Sequence, residues 1–99
     1  MAAAQGTAII DFGALGSAGS NEASIAVTGQ ANILATSKAE AFVMADDTST
    51  DHSANDHRYF VADCGLSCGT PTVATGFTIY GRSRIKLTGK YTVRWVWAD

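Results

Sequence analysis

The segment Tyr91-Thr92-Val93-Arg94-Trp95-Val96-Trp97 is the clearest β-strand signal in this 99-residue chain. Side chains alternate between the two faces of a strand, so both tryptophans share one face with Tyr91 and Val93, while Arg94 lies on the other face. Aromatic rings grouped on one face are typical of the interior between two packed sheets, because large rings bury much apolar surface. We therefore predict that this face is core and not a platform for a ligand.

The same alternation runs through most of the chain, and no amphipathic helical pattern extends beyond two turns. Segments rich in glycine, serine and asparagine separate the alternating stretches. The predicted strands are residues 7–12, 23–28, 33–44 with a bulge near residues 37–38, 58–64, 77–82 and 91–97, with a short edge at 72–75. We expect residues 65–71 to be a connection, and a single helical turn near residues 53–58 is a further option.

Length and composition limit the fold class. A chain of 99 residues with 46% hydrophobic content has room for one domain, since domains usually have about 100–150 residues. We expect residues 1–99 to form a single domain in which residues 1–5 are a flexible N-terminal arm. About six to eight short strands without crossover helices predict an all-β fold, an antiparallel β-sandwich of jelly-roll type, with a five-stranded barrel as the alternative.

Charge is unevenly distributed along the sequence. The formal net charge is −2, but residues 1–57 contain one cation against seven acids and residues 58–99 contain six cations against two acids. This polarity suits complementary packing between copies, and it equally suits a fold that interleaves the charges within one chain. The later cations could form a nucleic-acid stripe, and they are Arg82, Arg84, Lys86, Lys90 and Arg94. Because the chain is net acidic and its aromatic residues face away from Arg94, we expect no nucleic-acid partner.

Cys64 and Cys68 are the two cysteines of the chain. They have no second pair to complete a zinc site, and their spacing is not that of a redox Cys-x-x-Cys motif. We predict reduced structural thiols near a strand turn, with a local disulfide as the alternative. No apolar run approaches the roughly 18 residues of a membrane span, and no signal-peptide pattern opens the chain. We expect a protein made in the cytosol without a membrane partner.

The polar stretch 46–57 contains four aspartates and both histidines. Asp51, His52, Asp56 and His57 repeat an Asp-His pair, and carboxylate and imidazole groups can bind zinc or another transition metal. These four residues are therefore the candidate metal ligands. Their spacing matches no defined calcium loop or His-Glu-x-x-His helix. We favour aspartates that form turns and caps, and histidines that donate to backbone carbonyls or contact a neighbouring subunit, and we expect no metal and no cofactor.

No catalytic constellation emerges from the residues. A serine or cysteine nucleophile needs a histidine that an acid orients. Asp56 and His57 with either cysteine form the nearest combination, and nothing around the cysteines favours a thiolate. The glycines at 13, 16 and 19 are not followed by the Lys-Ser/Thr of a phosphate-binding loop. We expect that the protein is not an enzyme.

Five segments of the chain resemble small proteins encoded by tailed bacteriophages and prophages. The segments are residues 6–13, Ala26-Val27-Thr28-Gly29-Gln30, Asp51-His52-Ser53-Ala54-Asn55-Asp56-His57, Thr75-Gly76-Phe77-Thr78-Ile79-Tyr80-Gly81 and Tyr91-Thr92-Val93-Arg94-Trp95-Val96-Trp97-Ala98. The resemblance spans nearly the whole chain, with residues 64–71 as the most individual part. It carries no catalytic residues.

The resemblance implies a structural protein of the virion, assembled in the host cytoplasm. The leading expectation is a capsid decoration or cement protein that binds the major capsid protein or other virion proteins as a homo-oligomer, with a trimer favoured, and stabilises the head. One alternative is a neck, tail or head-fibre component that forms a trimer, with the Asp51–His57 loop at a tip or along the three-fold axis. Another alternative is a module that binds carbohydrate or the host surface, which requires exposure of Trp95, Trp97 or Tyr80.

Overall fold

The structure is a computed structural model that describes residues 3–14, 16–43, 56–57, 60 and 64–99. The strands in these residues are β1 (Ala3–Asp11), β2 (Ser20–Val27), β3 (Lys38–Val43), β4 (Cys64–Cys68), β5 (Phe77–Leu87) and β6 (Lys90–Ala98). They form two sheets that we call sheet I, with the order β1-β6-β3, and sheet II, with the order β2-β5-β4. All strand pairs are antiparallel, and the two sheets pack face to face around one core. The predicted all-β sandwich is confirmed.

The pairing of the strands is nested along the chain. β1 pairs with β6 and β2 pairs with β5. β1 and β3 are the two edge strands of sheet I, and β2 and β4 are those of sheet II. Successive pairs thus belong to alternate sheets, as when a long antiparallel ribbon is rolled into two layers. This is the winding of a jelly roll, with six strands in the described residues.

β6 is the central strand of sheet I and supplies much of the core. Its buried residues are Tyr91, Val93, Trp95 and Trp97, as predicted. Trp95 lies in register between Gly6 of β1 and Ala41 of β3, and Trp97 lies between alanines of the same two strands. The large rings fit between the sheets because the residues beside them are small.

β5 contains a bulge opposite β2. Residues 83–86 lie opposite Asn21, because the register shifts between the pair Glu22–Arg82 and the pair Ser20–Leu87. The side-chain amide of Asn21 donates to the carbonyl of Ser83 at 3.3 Å. Extra residues in one strand bend it outward, and Ile85 is consequently exposed.

The strand predicted at residues 58–64 is wrong at Phe60, and residues 58–59 and 61–63 lie outside the described residues. Phe60 has a helical backbone, and β4 begins at Cys64 and continues to Cys68, where we predicted a connection. Phe60 is buried with its ring centroid 4.3 Å from that of Tyr91, and this packing overrides its strand propensity. Within β4, Gly65 is a residue typical of turns, which hid an ordinary alternation of exposed and buried positions.

Other boundaries also differ from the prediction. β3 begins at Lys38 and not at Ile33, because Leu34 and Ser37 form a turn in which the Leu34 N–H donates to Ser37 Oγ at 3.0 Å. Residues 72–75 form a turn closed by a bridge between Thr72 and Gly76. β5 continues past residue 82 to Leu87.

The flexible arm expected at residues 1–5 is not observed from residue 3 onward. Ala3 begins β1 and pairs with Ala98, and Ala4 lies beside Trp97. The small side chain of Ala4 leaves room for that indole ring, so residues 3–5 are part of sheet I. A helical turn was expected at residues 53–58. Asp56 and His57 have helical backbone, and the other residues of this range lie outside the described residues.

Candidate interaction surface

The four candidate metal ligands are divided by the structure. Asp51 and His52 lie outside the described residues, Asp56 is exposed, and His57 is fully buried. Among the described residues, no group of three histidine, cysteine, aspartate or glutamate side chains is close enough to hold a metal ion. Nothing in this part of the chain therefore assembles the predicted ligands into one site.

His57 is part of the core at one end of sheet I. Its Nε2 accepts a hydrogen bond of 2.9 Å from the backbone N–H of Thr92 in β6, and its ring packs edge-on against Tyr91 at 5.4 Å. β3 ends at Val43, which pairs with Val93, one residue further along β6. The imidazole therefore binds a strand N–H just beyond the point where the described β3 ladder stops.

The two cysteines are free thiols on β4, and their side chains point toward the interior. Four residues of extended strand separate their Cα atoms by about 13 Å, too far for a disulfide. Burial raises the pKa of the Cys64 thiol to about 11, against a smaller opposite effect of a hydrogen bond with the backbone of Arg82. Burial, and then the Glu40 carboxylate, raise the pKa of Cys68. A raised pKa favours the protonated form of both thiols at neutral pH, which suits structural cysteines.

The fold interleaves charges that are separated in the sequence. Arg82 of β5 forms an exposed ion pair with Glu22 of β2, with Nε and Oε1 3.5 Å apart. Asp11 of β1 is the register partner of Lys90 of β6. The acidic first half and basic second half of the chain thus meet within one sandwich, which is the second of the two predicted interpretations.

The outer face of sheet I carries exposed apolar side chains. Ile9 of β1, Phe42 of β3 and Val96 of β6 are 53%, 47% and 38% exposed. Arg94 pairs with Phe42 in register, and its guanidinium donates to Gln5 Oε1 at 2.9 Å. Polar side chains lie between the apolar ones, since Val96 has Gln5 and Glu40 as its register partners. Apolar groups around an arginine are a composition typical of protein–protein interfaces. We call this face, defined by Ile9, Phe42, Arg94 and Val96, the apolar face.

The outer face of sheet II carries hydroxyl and charged side chains. Its large exposed ring is Tyr80 of β5, whose register partners are Ser24 of β2 and Ser67 of β4. A Cβ on Gly69 would lie 3.2 Å from Tyr80 Cε2, so the ring packs closely against the backbone there. Arg82 is the next residue of β5 whose side chain lies on this face. This face offers one aromatic ring among hydroxyl and charged groups.

An open groove of about 430 Å³ separates the edge strands β3 and β4. Glu40, Leu66, Cys68 and Trp97 are among its lining residues. The floor of the groove is therefore apolar, and the charges lie on its β3 side.

Comparisons with protein-family models, curated proteins and solved structures gave no match for this chain. In the described part of the chain, no helix has the length and apolar character that crossing a membrane requires.

Sequence reasoning did not identify the apolar face as a site. The available signal was an apolar residue at an outward position in three strands that are adjacent in the sheet. Val96 was assigned to the face opposite the tryptophans, and Ile9 alternates with the buried Ile10. Their proximity depends on the order β1-β6-β3, which alternation does not reveal.

Proposed function

We propose that this chain is a structural protein of a bacteriophage virion, a capsid decoration or cement protein that binds the major capsid protein through the apolar face and stabilises the head. It acts by binding and not by catalysis, and it joins the particle during assembly in the host cytoplasm. The observation that carries the proposal is the exposure of Ile9, Phe42 and Val96 together on one face of a rigid sheet. The resemblance to small phage proteins supplies the class of partner.

The core beneath the apolar face supports a binding role. β6 holds the face through side chains that alternate with the buried tryptophans, so the outward residues are fixed before any partner binds. Each copy would bury a modest apolar area, and a shell that presents many equivalent positions sums many such contacts. The expected homo-oligomer stays a prediction, which the mass of the purified protein tests.

The experiment is binding to heads of the phage or induced prophage whose genome encodes the chain. Heads that lack this protein are mixed with the purified protein and sedimented, and the bound copies per major capsid protein are counted. We expect Ile9→Ser and Phe42→Ser each to weaken binding at least about tenfold, since each removes a large apolar group from the contact.

Ile85→Ser is the matched control for Ile9→Ser. Ile85 is 51% exposed against 53% for Ile9, but it lies in the bulge of sheet II. The same change of side chain there should leave binding unaltered. Absence of the protein from purified particles, or equal binding by the Ile9→Ser variant and the unaltered protein, would contradict the proposal.

A carbohydrate-binding module is the second candidate, and Tyr80 is the observation that favours it. This candidate requires an exposed ring at one of three positions. Trp95 and Trp97 are buried, at 7% and 2% exposed, whereas Tyr80 is 50% exposed. An aromatic ring beside hydroxyl groups can stack on a sugar. Glycan-array binding that Tyr80→Ala abolishes and Ile9→Ser leaves intact would favour this candidate over the capsid.

The neck, tail or head-fibre alternative stays a prediction. Its proposed axis is the Asp51–His57 loop, of which the structure describes Asp56 and His57. The Nε2 atom of His57 is already a hydrogen-bond acceptor for Thr92. Localisation of the protein on the particle by immuno-electron microscopy would distinguish a neck or tail position from the head.

A further inference from the structure

We propose that β3 pairs with β3 of a second copy of this chain, antiparallel and across a two-fold axis at Ala39. Sheet I then continues from one protomer into the other. The contact uses the edge of the sheet and not the apolar face, and it does not depend on the proposed function. It also predicts an even number of copies in place of the expected trimer.

The backbone groups of β3 alternate in direction between β6 and the outer edge of sheet I. Thr92 of β6 donates its N–H to His57, although its register partner in β1 is Ile9, so this N–H points to the β3 side of β6. Backbone groups alternate in direction along an antiparallel pair. The even-numbered residues of β3 therefore bond to β6, and the N–H and C=O groups of Ala39 and Ala41 point away from it.

Open space lies beside the outer edge of β3. In the described residues β3 pairs with β6 alone, and its other edge borders two grooves. One groove, of about 430 Å³, separates β3 from Leu66 and Cys68 of β4. The other, of about 230 Å³, lies between Ala39 and Pro71. An unpaired strand edge with open space beside it is a template for another strand.

The charged side chains of β3 are complementary in the proposed pairing. Lys38 and Glu40 are both exposed and lie on either side of Ala39. When two β3 strands pair antiparallel with Ala39 opposite Ala39, Lys38 of each copy lies directly opposite Glu40 of the other. Opposite charges in such positions stabilise strand pairing, and like charges oppose it. The strand is thus complementary to itself in this one register.

The other edge strands lack this complementarity. On β1, the carbonyl of Thr7 accepts a hydrogen bond of 3.3 Å from the Trp95 indole, which covers part of the edge. On β2, Glu22 is paired with Arg82 within the chain. The outward residues of β4 include Gly65 and Ser67, which carry no charge. Among the described strands, β3 alone has two opposite charges placed symmetrically about one residue.

The test is the mass of the purified protein in solution as a function of concentration, by sedimentation equilibrium. We expect a reversible dimer of twice the 10.3 kDa chain mass. Lys38→Glu places glutamate opposite glutamate at two positions, and Glu40→Lys places lysine opposite lysine. Each variant should raise the dissociation constant by about tenfold or more.

Two matched controls isolate the pairing register. The double variant Lys38→Glu, Glu40→Lys restores opposite charges and should dimerise like the unaltered protein. An equimolar mixture of the two single variants should form a heterodimer, because every facing pair is again of opposite sign. A protein that stays monomeric, a trimer of unchanged mass in all variants, or a double variant that does not recover would overturn the proposal. Capsid binding does not enter this result, so it fails or holds independently of the proposed function.

Discussion

Gly6 of β1 is held to a glycine by the indole of Trp95. A Cβ at this position would lie 2.5 Å from Cζ2 of that ring, closer than two carbon atoms can approach. The ring cannot retreat easily, because it is fixed by its bond to Thr7 and by an edge-on contact with Phe77 at 5.7 Å. Gly6 therefore serves the packing of the core and not the flexibility of the strand.

We predict that Gly6→Ala lowers the free energy of unfolding by about 1–3 kcal/mol, the usual cost of overpacking a core. Urea denaturation followed by circular dichroism measures the change. Gly65→Ala is the control, since a Cβ on Gly65 of β4 would meet nothing within 4 Å. A Gly6→Ala variant no less stable than Gly65→Ala would show that Trp95 does not occupy this position.

His57 combines two roles that can be separated by substitution. We predict that His57→Ala lowers the free energy of unfolding by about 2–4 kcal/mol, because it removes a buried ring and leaves the Thr92 N–H without its acceptor. His57→Phe keeps a ring beside Tyr91 but also lacks the acceptor. Amide hydrogen exchange at Thr92 should be faster in both variants.

The exchange measurement distinguishes this role from general packing. The N–H of Thr92 donates to His57, whereas the N–H of Val93 points toward β1. Exchange at Val93 should change less than exchange at Thr92 in the phenylalanine variant. Equal protection of Thr92 in all three proteins would contradict the hydrogen bond.

Along β4, the buried thiol of Cys64 makes stability depend on alkaline pH. Its pKa is about 11 in the folded protein against 9.0 for an ordinary cysteine. Below about pH 9 both states are protonated and the stabilisation is complete. As the pH rises from 9 to 11 the unfolded chain ionises first, so the free energy of unfolding falls.

We predict that this fall is shallower for Cys64→Ala, which has no thiol to ionise. Urea denaturation at several pH values between 8 and 11 provides the comparison, and the slope rather than the absolute stability is the readout. A residual slope in the variant comes from two other groups. Burial, and then Glu40, raise the pKa of Cys68, and burial, and then Asp56, raise the pKa of Tyr91. Identical slopes for both proteins would mean that Cys64 ionises equally in the folded and unfolded states.

Among the elements, β6 was predictable and β4 was not. Large aromatic and β-branched residues alternate with polar ones in β6, so its pattern and its propensity agree. In β4 the exposed positions are glycine and serine, and the local signal favoured a turn. The burial of Phe60 depends on Phe12 and Tyr91, which are distant in sequence and meet it only after folding. Local pattern cannot report such contacts.

Across the whole molecule, the pairing of β1 with β6 joins the two ends of the described chain. Ala3 and Ala98 are register partners, although 95 positions separate them. Closing so long a loop before its contacts form slows folding. The order of the strands was likewise beyond sequence reasoning, and with it the apolar face, because alternation assigns residues to faces and not to neighbours.

A circular permutant tests this point. A short glycine linker that joins residue 99 to residue 3, with new ends between Gly16 and Ser17, converts the β6–β1 pair into a local hairpin. We expect the same fold and refolding faster by roughly tenfold, since the contact order falls. Stopped-flow refolding from urea measures the rate. A permutant that refolds at the original rate would show that the β1–β6 pairing is not part of the slow step.

The two tryptophans give the sandwich a pair of optical reporters. Trp95 is tied through its indole nitrogen to Thr7 of β1, whereas Trp97 is tied to Gln30 at 2.9 Å, in the connection that follows β2. In a variant that keeps one tryptophan and replaces the other by phenylalanine, the fluorescence would come from one indole at a known position between the two sheets. The protein thus contains, without any added dye, separate fluorescent signals for the loosening of its first strand and of the loop after its second.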